Sequence, residues 1–261
     1  MYYKSLNIPS VIEIGNGIAS KIDDILKDNH LYFTQKILIT SSSLLETYKE
    51  NICIEHYCDV IIVNGGAFDE LSQIKIINNN SNSLLVAFGG GSIIDFVKMY
   101  AQIHELPYIT LPSTLSNDAI YSPVARLTKK GLKKSFGVKP PIGIIVDIDI
   151  IMHSPKVLLL AGVGDLVSNL SAIKDWELAN KHINEPLNNF ALSLSYLSAN
   201  AMFVLEKPNI LSSNFIKQLA QGLILSGLAM VIANNSRPAS GSEHLISHAI
   251  DYLFPKRARR I

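Results

Sequence analysis

Hydrophobic residues in the first half of the chain come in short continuous runs rather than in alternation. KILIT (Lys36–Thr40), DVIIV (Asp59–Val63), SLLVAF (Ser83–Phe88) and YITL (Tyr108–Leu111) are each four to six residues long and rich in β-branched side chains. Each run ends at turn residues: the Ser41–Ser43 tract, Asn64-Gly65-Gly66, Gly89-Gly90-Gly91 and Pro112. Strands that are apolar on both faces, separated by helical stretches, predict a parallel sheet covered on both sides. The segment from Ala125, ARLTKKGLKKSFG, reads as a hairpin with a Lys-Lys-Gly turn, and GIIVDIDII from Gly143 reads as one more strand, ending near Asp147 or Asp149.

Beyond Ser154 the pattern becomes helical, with helices expected at 154–162, 165–182, 187–205, 214–234 and 241–253. Ser154-Pro155 supplies a helix start, with serine at the N-cap and proline at the first helical position. The expected architecture is an α/β, doubly wound, Rossmann-like domain over residues 1–150, followed by an all-helical domain over 151–261. The Asn78–Ser83 tract reads as a loop.

Composition narrows the function classes. Nearly half the residues are hydrophobic (48%), so a packed core is within reach and global disorder is excluded. A formal charge of +1, without a long basic run, argues against nucleic acid as a partner. The N-terminal MYYKSLNIPSVIEIG has neither the apolar core nor the cleavage site of a signal peptide. The most apolar stretch, Gly222–Ala233, is too short to cross a bilayer and reads as a buried helix, so a cytoplasmic protein without membrane insertion is expected. Cys53 and Cys58 flank His56 in CIEHYC; four-ligand structural zinc has no second cluster to complete it, so two half-buried thiols around a short strand are the simpler expectation.

Four segments carry candidate chemistry. In AFGGGSIIDFVK (Ala87–Lys98), three glycines follow a buried strand and open a helix. There the backbone can approach a pyrophosphate and the helix N-terminus offers free N–H groups. Its place at the carboxyl end of a strand is where open α/β sheets bind ligands, although a glycine triplet can also be only a tight turn. LPSTLSNDAIYSP (Leu111–Pro123) offers hydroxyls and the Asp118 carboxylate, and is equally readable as a plain turn. In GVGDLVSNLSAIKDWELA (Gly162–Ala179), Asp165 reads first as a helix cap. In SGSEHLISHA (Ser240–Ala249), His244 and His248 are four apart and share a helix face. The histidines at 30, 56, 104, 153 and 182 read as surface residues.

Taken in order, GGGSIID, PSTLSNDAIYSP, KPPIGIIVD, AGVGDLVSNLSAIKDW and GSEHLISH resemble the sn-glycerol-1-phosphate dehydrogenases, within the superfamily of iron-containing alcohol dehydrogenases, glycerol dehydrogenases and dehydroquinate synthases. The resemblance runs from about Pro9 to the end. It implies NAD(P)H- and metal-dependent reduction of dihydroxyacetone phosphate to sn-glycerol 1-phosphate, with a related polyol dehydrogenase, a carbocyclic-sugar synthase or an inactive cofactor-binding remnant as alternatives. Gly89, Gly90, Gly91 and Ser92 would hold the pyrophosphate of NAD(H) or NADP(H), and Ser113, Ser116 and Ser122 would touch its nicotinamide half. Asp118 would bind substrate hydroxyls and serve catalysis. Asp165 and His244 would ligate one divalent metal, zinc ahead of iron or nickel, with Asp165 also facing substrate. His248 would contact substrate or relay a proton. The partner is a small polyol phosphate, and a homo-oligomer is compatible with the pattern.

Two details bear on the branch. Long-chain iron alcohol dehydrogenases place a histidine four residues after the ligand aspartate, where this chain has Asn169, which points to the zinc-using glycerol type. The family's third ligand is a histidine in a later His-Gly segment, whereas no histidine follows His248 and the sequence ends PKRARRI. The helical domain is also several helices shorter than the family's. The expectation is therefore a truncated chain, one part of a split gene or a degenerate protein, with weakly held metal unless His248 takes part. A phosphate cluster at Lys129, Lys130, Lys133 and Lys134 is conceivable, but a charged hairpin tip is more often simply solvated.

Overall fold

The computed structural model describes residues 8–74, 82–204 and 209–254. The first seven residues, positions 78–81 of the polar tract, the end of the helix expected to reach 205, and PKRARRI lie outside the described residues. The chain divides into two compact units. One comprises the described residues through Thr114 together with Ala119–Ser154; the other comprises Leu115–Asp118 and the described residues from Pro155 on.

In the first unit, six parallel strands form one sheet in the order β1-β8-β5-β4-β2-β3. They are β1 (Val11–Gly15), β2 (Gln35–Thr40), β3 (Asp59–Ile62), β4 (Ser83–Gly89), β5 (Tyr108–Pro112) and β8 (Gly143–Asp147), while β6 (Val124–Lys129) and β7 (Leu132–Gly137) pair separately as an antiparallel hairpin. Helices α1 (Ile22–Asp28), α2 (Ser42–Tyr48), α3 (Gly91–His104) and α4 (Ile148–Met152) belong to the same unit. Every residue of β4, β5 and β8 is buried, which is why their sequences are continuously apolar. At the hairpin tip, Lys130 and Gly131 both have positive φ (53° and 77°), the two-residue turn that matches strand twist.

The strand from Gly143 ends at Asp147, one of the two ends expected for it; the Asp147 carboxylate accepts from the Asp149 N–H and turns the chain into α4. The same buried carboxylate accepts from the N–H groups of Gly17 and Ala19, so it also ties down the loop after β1, a strand the hydrophobic pattern did not reveal. The Cys53–Cys58 segment holds no strand; Ile54–His56 is a single 3₁₀ turn and both cysteines are free.

The second unit is helical: α5 (Lys156–Ile183), α6 (Asn189–Asn200), α7 (Ser213–Ala233) and α8 (Ser242–Leu253). The helices expected at 154–162 and 165–182 are one 28-residue helix, α5. Asp165 is therefore interior to a helix and caps nothing. Ser154 caps nothing either; Pro155 occupies the N-cap of α5. Gly162, inside this helix, serves packing: a Cβ there would stand 2.0 Å from the Leu115 carbonyl oxygen. By length and composition alone α5 and α7 could span a bilayer. In this unit α7 packs on α5 and α6, and eleven of its residues are buried, Leu223, Ile224 and Met230 among them.

Candidate active site

In the α/β unit, β4 runs into α3 through Gly89-Gly90-Gly91, with Gly90 at the N-cap. Contact requires glycine at position 89, where a Cβ would lie 2.7 Å from Ile93; at Gly90 a Cβ would lie a tighter-than-usual 3.3 Å from the Thr114 methyl. The Gly90 carbonyl accepts from Ile93 and Ile94, which leaves the N–H groups of Gly91 and Ser92 at the open helix end. Sequence reasoning treated Asn64-Gly65-Gly66 as a turn only. The structure brings it against the start of α3, with Gly65 and Gly66 at positive φ (73° and 83°) and a Gly65 Cβ position 3.2 Å from the Ser92 carbonyl oxygen. The Glu70 carboxylate holds this turn by accepting from Asn64 N–H (2.8 Å) and Gly65 N–H (3.1 Å). Ser113 follows β5 and bonds through its N–H to the Gly89 carbonyl, so it lies at the same strand ends.

Ser122 is not on an open loop surface. It is buried, and its hydroxyl accepts from Lys98 Nζ at 3.0 Å. Lys98 is itself fully buried, donates to the Val124 carbonyl (2.8 Å) and pairs with Asp95 at 3.1 Å. Asp95 lies past the first turn of α3, so its partner is Lys98 rather than the helix dipole. Burial pushes its carboxyl above the ordinary range, against the opposing pull of Lys98 and the Arg126 N–H.

The helical unit gathers the other predicted residues. Asp165, on α5, accepts from the Asp118 N–H through Oδ2 at 2.9 Å, and its Oδ1 stands 3.9 Å from His244 Nε2 on α8. The Asp118 carboxylate accepts from Ser226 Oγ on α7 (3.1 Å). Asn169, one turn after Asp165, is fully buried and donates to Ser226 (3.1 Å) and Ser198 (2.8 Å). It thus fastens the serine that holds Asp118. His248 lies one turn beyond His244, with ring centroids 6.4 Å apart and planes at 88°. Ser116 sits in the Leu115–Asp118 strip of this unit.

Glu243 was not foreseen. Its Oε1 is 2.9 Å from His244 Nδ1 and accepts from Gly241 N–H (2.7 Å); its Oε2 accepts from Ser171 Oγ (2.9 Å). These bonds lower its carboxyl below the usual range although burial works the other way. Asp165 behaves oppositely. Burial first, then the charges of Asp118 and Glu243, raise its carboxyl well above the ordinary range, with only the Asp118 N–H pulling it down. A cation would offset the repulsion among these carboxylates. Donors about 2.0–2.2 Å from a tetrahedral zinc ion stand roughly 3.3–3.6 Å apart, so Asp165 Oδ1 and His244 Nε2, at 3.9 Å, would close by a few tenths of an ångström on holding one.

Comparison with known proteins gives the family. Residues 13–155 match the family model described as iron-containing alcohol dehydrogenase. The chain is 35% identical to a protein of Thermococcus sibiricus named glycerol-1-phosphate dehydrogenase [NAD(P)+], over 99% of this chain and 75% of the relative. The same name and identity recur in Pyrococcus furiosus, over 97% and 75%. The chain belongs to the iron-containing alcohol dehydrogenase family. Its fold matches that of sulfoacetaldehyde reductase from Bifidobacterium kashiwanohense, solved with NAD+, at a TM-score of 0.73 and 21% identity, covering 97% and 71% of the two chains. It also matches an iron-containing alcohol dehydrogenase from Thermotoga maritima at 0.64 and 17%, covering 88% and 68%.

Within this family frame the remaining clusters are peripheral. The hairpin lysines Lys130, Lys133 and Lys134 are exposed, and Lys129 Nζ lies 3.9 Å over the Phe68 ring. Cys53, Glu55 and His56 bring donor atoms within 4.8 Å of one another, with His56 Nδ1 also 3.3 Å from Asp23. His30, His104, His153 and His182 are exposed, and His56 is half-buried.

Proposed function

We propose that this chain is an NAD(P)H- and metal-dependent dehydrogenase that reduces dihydroxyacetone phosphate to sn-glycerol 1-phosphate. The observation that carries the reading is the convergence of Asp165 Oδ1 and His244 Nε2 at 3.9 Å, with the other Asp165 oxygen held by the Asp118 N–H. The relatives named glycerol-1-phosphate dehydrogenase [NAD(P)+] supply the substrate class. The reaction moves a hydride from the reduced nicotinamide to the ketone carbon and a proton to its oxygen.

The N–H groups at the start of α3, bared by Gly89, Gly90, Gly91 and Ser92, would bind the cofactor's pyrophosphate. Ser113 and Ser116 would border its nicotinamide half. Ser122 is instead taken up by Lys98, from which its hydroxyl accepts. Asp165 and His244 would hold a divalent metal, zinc in preference to iron or nickel, which supplies Lewis-acid polarisation of the substrate carbonyl when bound. Asp118, fixed by Ser226, would accept hydrogen bonds from substrate hydroxyls, and His248 would deliver the proton. Cytoplasmic location and self-association complete the reading.

Metal content of purified Asp165→Asn beside the unsubstituted chain, with parallel NADH fluorescence titrations, tests it. Expected are loss of metal, dinucleotide affinity unchanged within about twofold, and loss of turnover. For His248→Ala, metal is kept and turnover falls by about 10²–10⁴-fold, the usual contribution of a positioned proton donor. Equal metal content in Asp165→Asn overturns the site.

A further inference from the structure

We infer that Glu243 is a positioning residue that fixes the tautomer of His244 and thereby sets how tightly the chain holds a divalent cation. The second half rests on the metal reading proposed above; the first half does not. A neutral imidazole has one N–H donor and one acceptor nitrogen, and an ionised carboxylate can only accept. Glu243 Oε1 lies 2.9 Å from His244 Nδ1, so Nδ1 carries the hydrogen and Nε2 is left with its lone pair, on the side of Asp165 Oδ1. Metal-bound histidines are oriented in this manner by a carboxylate on the other ring nitrogen, which also strengthens the ligand nitrogen.

Glu243 is held too firmly for a mere helix-end charge. Its two oxygens take hydrogen bonds from Gly241 N–H and from Ser171 Oγ in addition to the histidine contact. Ser171 lies on α5, the helix that carries Asp165. One turn further along α5, Asp175 Oδ2 accepts from Ser242 N–H at 2.5 Å, so the start of α8 is clamped to that helix at two successive turns. Gly241 makes the clamp feasible: a Cβ there would lie 2.6 Å from Asp175 Oδ2, 2.8 Å from Glu243 Oε2 and 2.9 Å from the Ala172 Cα. The acceptor is thus locked before the histidine meets it, and the lock refers His244 to the backbone that positions Asp165.

Two readouts test this on the whole chain. Two-bond ¹H–¹⁵N correlation spectra of the metal-free protein, taken at mildly alkaline pH where imidazole is neutral, report the His244 tautomer. Zinc titration against a chromophoric chelator reports affinity. The unsubstituted chain should show the Nδ1–H form. Glu243→Leu should move His244 toward Nε2–H and weaken zinc by about 10- to 100-fold. Glu243→Gln keeps an acceptor oxygen within reach and should retain the tautomer with a smaller loss, so it covers the case in which the leucine variant does not fold. Glu243→Asp keeps the helix-end charge but is too short for the contact, and should resemble leucine. An unchanged His244 tautomer in folded Glu243→Leu or Glu243→Asp overturns the inference. A shifted tautomer with no zinc bound by the unsubstituted chain overturns the metal reading instead.

Discussion

Gly162→Ala should destabilise the helical unit more than any ordinary glycine replacement in a helix. At a solvent-facing position the change stabilises by roughly 0.5–1 kcal/mol, because alanine loses less backbone freedom on folding. At Gly162 the new Cβ would stand 2.0 Å from the Leu115 carbonyl oxygen and 3.1 Å from its carbon. Side-chain carbons do not come within 3.0 Å of such atoms, so the two backbones must separate by at least about 1 Å. Overpacking of that kind costs about 1–3 kcal/mol. The displaced strip also carries the Asp118 N–H that bonds Asp165 at 2.9 Å, and loss of a bond to a charged acceptor costs a further 1.5–3 kcal/mol or so. A total of about 3 kcal/mol or more corresponds to a fall in melting temperature of roughly 6–12 °C for a chain of this size. Gly164 is the internal control: it lies two residues along the same helix with nothing within 4 Å of its Cβ position, and Gly164→Ala should raise the melting temperature slightly. Thermal denaturation by circular dichroism of both variants decides it. Gly162→Ala within about 0.5 kcal/mol of the unsubstituted protein would refute the close approach of α5 to the Asp118 strip.

Other outcomes follow from the charges. Since the Asp165 carboxyl is raised in the folded state, its ionisation works against the fold: stability of the metal-free protein should fall as pH rises from the ordinary aspartate value through the raised one. In Asp165→Asn that part of the decline should be absent, as read from urea midpoints in chelator across pH. Lys98→Met strips the buried Asp95 and Ser122 of their common partner and should cost about 3–5 kcal/mol in chemical denaturation, with Lys98→Met/Asp95→Leu recovering part of it. The end of β2 carries Thr40, Ser41, Ser42 and Ser43 and no carboxylate to exclude a ribose 2′-phosphate, so NADPH should serve as well as NADH. A kcat/KM preference for NADH above about a thousandfold, roughly 4 kcal/mol, would count against that.

What could be read from the sequence follows from how locally each feature is encoded. β2, β4 and β5 were legible because strands covered on both faces need unbroken apolar runs, and β3, though at the sheet edge, carries a Val-Ile-Ile run. β1 was not, because an edge strand with two exposed residues among five gives no such run. α5 was expected as two helices, and the role of Gly162 within it was hidden because it depends on a carbonyl from Leu115, distant along the chain. Asp165 and His244 could be picked out by motif order. Asn169, Ser226 and Glu243 could not, since their roles arise only when α5, α7 and α8 bring together residues 57, 108 and 72 positions apart.

The helical unit is built at odds with its own electrostatics. A chain selected only for stability would not put the Asp118 carboxylate close enough to raise the Asp165 carboxyl, nor add Glu243 to raise it further. Yet each is individually secured: Asp118 by Ser226 and, through it, Asn169; Glu243 by Gly241 and Ser171. Such securing prevents the side chains from swinging apart to relieve their repulsion, so the unfavourable arrangement persists in the folded state. It is relieved only by a proton or a cation. A cation at a hundred times its dissociation constant returns about 2.7 kcal/mol to the fold, and the His244 imidazole, whose Nε2 faces Asp165, is already held by its far nitrogen. The tension in the folded chain and the place where a metal would release it are therefore the same few atoms.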